Sequence, residues 1–393
     1  MKTVVVLNQF ALPRTQGGGT RHIDLFGRLT HWSPTIIAGN RNHYTQQTYA
    51  TDDPRFVLVG VPPQRGPVRQ RALGWLRYDA AALVKGLRLG HIDVVYASTP
   101  HLLAPIAGAA LARLKGCPLV VEVRDLWPQA IASAGIVSET GRLYRALTRL
   151  ERWVYHRADR LVVVTGGWES HLTALGVDLH DVTVIPNGTE TTEFAVDATR
   201  ESLRAALGFT GFTAVFAGAH GPKDGIDLIL DAARDCPDIS VVLIGDGPVK
   251  EAAQRRAEVE GLDNIRFVDP VSKNDLPAVL RAADVGIHAV TPLPVLDKGM
   301  SPNKLFDYLA AGLPVVSNAQ AALASIVSDG EVGAIGGPDS LSDGLRAVFA
   351  ASEGQRRAWA ARGQELIAPR FSRAEAARHL EALLDDIAAR GTR

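Results

Sequence analysis

The feature that most narrows the fold of this chain is an alternation, sustained from end to end, of short β-branched runs with helical patterns. In the first half the runs are "TVVVLN", "TIIAG", "FVLVGV", "IDVVYAS", "PLVVEVRD", "RLVVVT" and "VTVIPNG". None alternates polar with apolar positions, which marks parallel strands covered on both faces. Helical segments such as "LLAPIAGAALARLKG" and "RLYRALTRLERWVYHRAD" separate them, and strand–helix–strand repetition predicts a doubly wound sheet. The pattern restarts with "TAVFAGA", "ISVVLIGDG", "IRFVD", "VGIHAV", "LPVVSN" and "GAIGG". The chain therefore reads as two α/β, Rossmann-like units, residues 1–190 and 200–370, with the polar stretch 188–199 as a linker. Segment 372–393 predicts an amphipathic helix striped by Ala377, Leu380, Leu384 and Ile387, packing back on the first unit. Two such units facing each other leave a cleft at the carboxyl ends of their strands, where open α/β sheets bind ligands.

Composition supports two cores and excludes several partners. A length of 393 residues with 46% apolar and 21% charged residues is ample for two domains. The formal net charge of zero gives no footprint for nucleic acid. Cys117 and Cys236 lie in different halves, each beside a strand-like run, and read as reduced core-edge residues rather than a disulfide or metal pair. The opening "MKTVVVLNQF" is too short in its apolar run for a signal-peptide core, and no apolar stretch reaches the ~20 residues of a membrane span. The expectation is a cytoplasmic protein, with contact at the inner membrane surface left open.

The stretch "KGMSPNKLFDYLAAGLPVV", from Lys298 to Val316, carries the clearest chemical signal. Ser301 suits an N-cap and Pro302 the first helical position. Lys304 then falls in the first turn, where unpaired amide hydrogens and an ammonium together suit a phosphate. Asp307, three residues on, shares a face with Lys304. Such a pair can measure a nucleoside diphosphate, charge first and ribose hydroxyls next. The alternative is a capped helix with a surface ion pair between Lys304 and Asp307.

"IPNGTETTEF", "LIGDGP", "ADVGIHAV" and "PNKLFDYLAAGLPVV", taken in order, resemble the family-4 retaining glycosyltransferases of GT-B architecture. "EVRDLWP" and the Pro-Asn-Lys variant resemble the branch that builds bacterial surface polysaccharides, including N-acetyl-fucosamine transferases. The resemblance implies the GT-B fold: two doubly wound Rossmann-like domains facing each other across a cleft. The first would bind the acceptor and the second a nucleotide sugar, with a UDP-sugar as the expected donor and no cofactor. It also implies that the helix over 302–311 holds the donor's diphosphate and ribose, through Met300, Ser301, Pro302, Asn303, Lys304 and Asp307. Gly218, Lys223 and Gly245 at strand ends would complete the donor site, with backbone near Val268 and Val271 meeting the nucleobase.

The departures from the family pattern are specific. Of two customary glutamates, Asp307 stands at the second position and Gly299 at the first, with Asp297 as a substitute. Where the family often has Arg and Lys after the first strand of the second domain, "AGAHGPKDGIDL" holds Ala219 and Asp224, with Lys223 displaced by one.

In the first unit, "QGGGTRHIDLFGRL" follows the first strand. Its glycines, Gly18 and Gly19 among them, permit positive φ and close approach to a ligand, and Thr20 can cap the helix that follows. As a dinucleotide fingerprint it fails, since His22 stands where the third glycine belongs. By resemblance the loop lies near the donor phosphates and the acceptor; otherwise it is a glycine turn. "VVEVRDLWPQ" ends a buried strand with Arg124 and Asp125, where charges are costly unless used or paired. With Lys304 they are the expected catalytic residues; the alternative is a structural pairing of Arg124 with Asp125 or Glu122. Trp127 is either a wall for a sugar face or a core residue.

The stretch "PPQRGPVRQRALGWLRYDAAALVKGLRLGH" interleaves Arg65, Arg69, Arg71, Arg77, Lys85 and Arg88 with Leu73, Trp75, Leu76 and Tyr78. It reads as a membrane-surface helix or a grip on a lipid-linked diphosphate, or as solvated charge over a core stripe. His22, Trp127, Arg69 and Arg77 are the acceptor-side candidates. No Asp-x-Asp or His/Cys/Asp spacing points to a metal. The expected reaction is metal-independent transfer of a hexosyl or N-acetylhexosaminyl group to a hydroxyl, free or lipid-linked, with retention of configuration. A sugar-nucleotide 2-epimerase of the same fold and a catalytically silent nucleotide-sugar-binding protein are the alternatives.

Overall fold

The computed structural model describes all residues except 17–18, 64–67, 100, 134 and 392–393, and gives the backbone alone for 68–69, 321–322, 324 and 391. Contacts divide the chain into Met1–Pro186 with Ala376–Arg393 as one unit and Asn187–Glu375 as the other.

The first unit is built on seven parallel strands: β1 (Lys2–Leu7), β2 (Trp32–Gly39), β3 (Phe56–Val59), β4 (Val94–Ser98), β5 (Leu119–Val123), β6 (Arg160–Val163) and β7 (Val182–Val184). Their order is β3-β2-β1-β4-β5-β6-β7. Val4, Val6, Ile36, Ala38, Val94, Tyr96, Val120 and Val162 form one face of this sheet, covered by Ile23 and Phe26. The helix Arg373–Gly391 adds Ala376, Leu380, Leu383, Leu384 and Ile387 to the same core. The opposite face is covered by the helices Val68–Arg88 and Ala104–Lys115. Tyr78 donates its hydroxyl to the Ile37 carbonyl at 2.6 Å, and Gly108 lies so close that a Cβ there would sit 2.6 Å from that of Ala97.

The second unit has six parallel strands: β8 (Phe212–Ala217), β9 (Ile239–Ile244), β10 (Ile265–Val268), β11 (Val285–His288), β12 (Val315–Ser317) and β13 (Gly333–Ile335). Their order is β10-β9-β8-β11-β12-β13. Ala214, Phe216, Val241, Leu243, Val285 and Ile287 meet Ile226, Ile229 and Leu230 on one face. Val215, Val242, Ile244 and Val315 meet Leu305, Phe306, Tyr308 and Leu309 on the other. Each Val, Leu, Ile or Phe among them, withdrawn from water, contributes about 1.5–3 kcal/mol, so both sheets are stabilised from both faces. The expected linker is no loose tether. Thr191–Phe194 forms a 3-10 turn and Phe194 enters the core.

In each sheet the strand order reverses once, between β1 and β4 and between β8 and β11. Connections on the two sides of such a point diverge and open a crevice outside the strands' carboxyl ends. The residues after β1, β4, β8 and β11 are therefore where chemistry is to be sought.

Candidate functional site

The helix Asn303–Ala310 follows β11, so its amino end lies on the carboxyl side of that strand. Pro302, not Ser301, occupies the N-cap, with extended φ and ψ of −79° and 123° and no side-chain capping bond. Ser301 is engaged elsewhere. Its hydroxyl accepts the Asn187 amide at 2.8 Å, and its carbonyl accepts the Asn187 side chain at 2.6 Å. The expected serine cap is thereby corrected. Proline's fixed φ starts the helix one residue later, and the amides of the first turn carry no intrahelical acceptor.

Lys304 does not meet Asp307. Its ammonium lies over the Phe216 ring, 3.9 Å from the centroid, and pairs with Asp224 at 3.0 Å. The two side chains are only 16% and 15% exposed. Burial lowers the Lys304 ammonium below its usual range, and Asp224 holds part of the charge in place. Gly218 makes room: a Cβ there would stand 3.0 Å from Lys304 Cε. Gly245, with φ of +147°, is required by contact, because a Cβ there would lie 1.9 Å from the Gly218 carbonyl oxygen. The Lys304–Asp307 surface pair is thus replaced by a half-buried pair that crosses the end of β8.

Asp307 is half-buried. Burial raises its carboxyl above the usual range, while the Thr189 hydroxyl, Arg373 and Lys273 pull the other way. Lys223 and Asn303 are exposed, and Val268, Val271 and Met300 are half-buried against the core below. The Gly245 amide donates to the Val268 carbonyl at 3.1 Å, which brings the β10 end into the same neighbourhood.

His220 is a further residue at this strand end that sequence reasoning misses. It is fully buried with neither ring nitrogen partnered, between Phe216 and Phe267 at 5.9 and 6.3 Å. Burial, then Lys250, holds the ring below its usual pKa. An aromatic base in the glycine-rich "AGAHGP" is the available signal.

In the first unit, Gly18 lies outside the described residues. Gly19 takes φ of +49° and abuts the Phe10 carbonyl and His43. Thr20 makes no capping bond; its hydroxyl donates to Asp24 at 2.7 Å. His22, an acceptor-side candidate, is 1% exposed, with Nε2 2.8 Å from Glu122. Burial alone would raise the Glu122 carboxyl, but Arg21 at 2.9 Å and His22 hold it well below the usual range. Those two partners satisfy Glu122, so the alternative pairing with Arg124 does not form. Arg124 instead donates its backbone amide to Thr99 Oγ1 at 3.1 Å and keeps a buried, unpartnered Nε. Asp125 is exposed. Trp127 is half-buried, its indole N–H 3.4 Å from the Thr99 carbonyl. Arg77 is exposed, and the Arg69 side chain lies outside the described residues.

Two doubly wound units, each with glycines, charge and aromatic groups at its point of strand reversal, define an α/β class of ligand-binding fold. Comparison with known proteins makes the class specific. Residues 26–188 match the glycosyl transferase 4-like domain and residues 211–351 the glycosyl transferases group 1 domain. The chain belongs to the family-4 glycosyltransferases of GT-B fold.

It is 27% identical over 238 residues to WcaI of Escherichia coli, described as a glycosyl transferase of colanic acid biosynthesis, covering 58% of each chain. It is 31% identical over 219 residues to the D-inositol 3-phosphate glycosyltransferase of Mycolicibacterium gilvum, covering 51% of this chain and 47% of that one. The matched regions thus span about half the length of these relatives. Among solved structures, Anabaena HepE in complex with UDP superposes with a TM-score of 0.72 at 18% identity, covering 98% of this chain and 100% of that one. Sucrose-phosphate synthase from Thermosynechococcus elongatus superposes at 0.79 and 16% identity, covering 99% and 100%.

Proposed function

We propose that this protein moves a sugar from a nucleoside diphosphate to an acceptor hydroxyl, with retention of configuration, in the assembly of a polysaccharide or glycoconjugate. The observation that carries the reading is the Lys304 ammonium at the amino end of its helix, on a floor of Gly218 and Gly245. Helix amides and the ammonium stabilise the leaving diphosphate by charge already in place, which is electrostatic preorganisation and requires no metal ion. Asp307, one turn deeper, takes the ribose hydroxyls. UDP is the preferred nucleotide because HepE was solved with UDP and with UDP-glucose. Displacement on one face of the sugar lets the leaving phosphate take the acceptor's proton, so no enzyme nucleophile is needed. Arg124 and Asp125 are assigned to the reacting end of the first unit, Arg124 as a fork for an anionic group.

Thermal melting with UDP, GDP and ADP tests the donor reading. A nucleotide that binds the folded state at 100 times its Kd stabilises it by about 2.7 kcal/mol. UDP is expected to raise the melting temperature most; no shift with any of the three would end the reading. Release of UDP from UDP-sugar only when acceptor is present separates transfer from silent binding.

Peripheral membrane contact belongs to the same proposal. Among the described residues no helix is long and apolar enough to cross a membrane. The helix Val68–Arg88 nevertheless turns Leu73 and Leu76 outward, 66% and 55% exposed, with Val84 and Leu87 continuing the stripe. Arg71, Arg77 and Arg88 are exposed beside it, and its one acid, Asp79, is buried. An apolar stripe flanked by cations suits an anionic bilayer surface. The protein is expected to float with phosphatidylcholine vesicles that contain phosphatidylglycerol and not with phosphatidylcholine alone. Leu73→Ser with Leu76→Ser is expected to abolish flotation; retention by that variant would exclude this surface.

A further inference from the structure

The helix Val68–Arg88 is held unevenly along its length. From Tyr78 onward it is anchored. Tyr78, Ala82 and Gly86 are buried, Tyr78 donates to the Ile37 carbonyl at 2.6 Å, and a Cβ at Gly86 would stand 2.6 Å from Leu111 Cδ2. Ahead of Tyr78 the hold is slight. Among the described residues of that half Gly74 alone is buried, Ala72 and Trp75 are half-buried, and Arg71, Leu73, Leu76 and Arg77 are exposed. The Trp75 ring rests on His101 at 5.2 Å. A segment with so few buried contacts opens locally at lower cost than the sheet beneath it.

Asp79, the one acid of this helix, sits where the two halves join. It is 8% exposed, and both its carboxyl oxygens are buried without a donor. His101 Nδ1 lies 4.0 Å from Asp79 Oδ2. That nitrogen accepts the Ala104 amide at 3.3 Å, so it has no proton to give, and burial lowers the ring to about 3, which keeps it uncharged. The β2 and β3 strands beneath the helix contain no charged residue. The helix Ala104–Lys115 carries Arg113 and Lys115 in its last turn, beyond the level at which Leu111 meets Gly86. Tyr78 and Tyr49 spend their hydroxyls on the Ile37 and Gly39 carbonyls. Among the described residues no cation is set against the Asp79 carboxyl, and buried polar atoms left unpaired in this way need an explanation.

An ionised carboxyl in such surroundings is costly until it reaches a donor or water, and the lightly held half of the helix is the part that can give way. We infer that Asp79 is a proton-operated catch on this helix: neutral, it keeps residues 70–79 docked, and ionised, it favours their release into water. Burial pushes the docked carboxyl from 3.8 up to about 7, and release returns it to the lower value. Between those values the docked form holds a proton that the released form has lost. Release therefore grows as pH rises through the interval and levels off above it. Leu73, Trp75 and Leu76 ride on the segment, so pH sets how these apolar side chains are presented. The catch depends on neither the donor site nor contact with a bilayer.

Amide hydrogen exchange of the full chain, followed by mass spectrometry from about pH 4 to pH 8 and corrected for the intrinsic pH dependence of exchange, tests the catch. Opening of residues 70–79 is expected to rise roughly 10-fold per pH unit up to about pH 7 and then to level off. At every pH the amides of β4 are expected to stay far better protected, because they exchange only when the whole unit unfolds. In Asp79→Asn the rise is expected to vanish; the pH series on the unaltered chain stands by itself should that variant misfold. Opening that is flat with pH in the unaltered chain, or that rises alike in Asp79→Asn, overturns the catch. Protection of residues 70–79 equal to that of β4 overturns it too, since the helix would then part from the sheet only with the fold as a whole.

Discussion

Lys304→Ala is expected to weaken UDP binding by roughly 10- to 150-fold, the equivalent of the ~1.5–3 kcal/mol carried by a hydrogen bond to a charged group. The ammonium is placed for an anion by its position at the helix start, yet in the structure it is held by Asp224 at 3.0 Å. A diphosphate must therefore take Lys304 from Asp224. Asp224→Asn removes the competitor and is expected to tighten UDP several-fold, so the two substitutions have opposite signs. Lys304→Ala also leaves a mostly buried carboxylate uncompensated, which can cost about 3–5 kcal/mol of stability. The double variant Lys304→Ala/Asp224→Asn separates the effects: stability is expected to return and UDP affinity not to. Calorimetric titration of UDP into the four proteins, each checked by melting, decides it. Equal affinities in wild type and Lys304→Ala would remove the foundation of the donor site.

Asp79→Asn is expected to stabilise the protein at pH 8 and to leave stability unchanged near pH 4. Burial raises this carboxyl from 3.8 to about 7. Between those values the folded chain holds a proton that the unfolded chain has released, so stability falls as pH rises through the interval. Above it the penalty is constant, on the order of 4 kcal/mol at ~1.36 kcal/mol per pH unit. Asparagine does not titrate and escapes the penalty. The gap in melting temperature between variant and wild type should therefore open from pH 4 to pH 7 and then level off. A gap independent of pH would mean that Asp79 is ionised and paired in the folded protein.

Much of the architecture is legible in the residues themselves. Each β-branched run quoted from the sequence corresponds to one of β1–β13, because continuous apolar patterning is a local property and parallel strands need it on both faces. The helix carrying Lys304 is legible too, but its start is not: a serine before a proline resembles a cap, and only the fold shows that Ser301 is engaged by Asn187. Asp224 stands out in the sequence as a departure from the family pattern, not as the partner of Lys304. Their 80-residue separation carries no periodicity that could announce it. His22 is a similar case: the sequence offers it as an acceptor-side candidate, and only the fold shows its ring buried against Glu122, 100 residues away.

Sequence alone determined the two parallel sheets, the helices between them and the family, since hydrophobic period and motif order act over a few residues at a time. Tertiary structure decided which charges meet: Lys304 with Asp224, Glu122 with Arg21 and His22, and Asp79 with no donor. Strand order, with β4 beside β1 and β11 beside β8, brings residues far apart in the chain to one strand end. Coulombic and hydrogen-bond energies depend on those distances in space and are indifferent to separation along the chain.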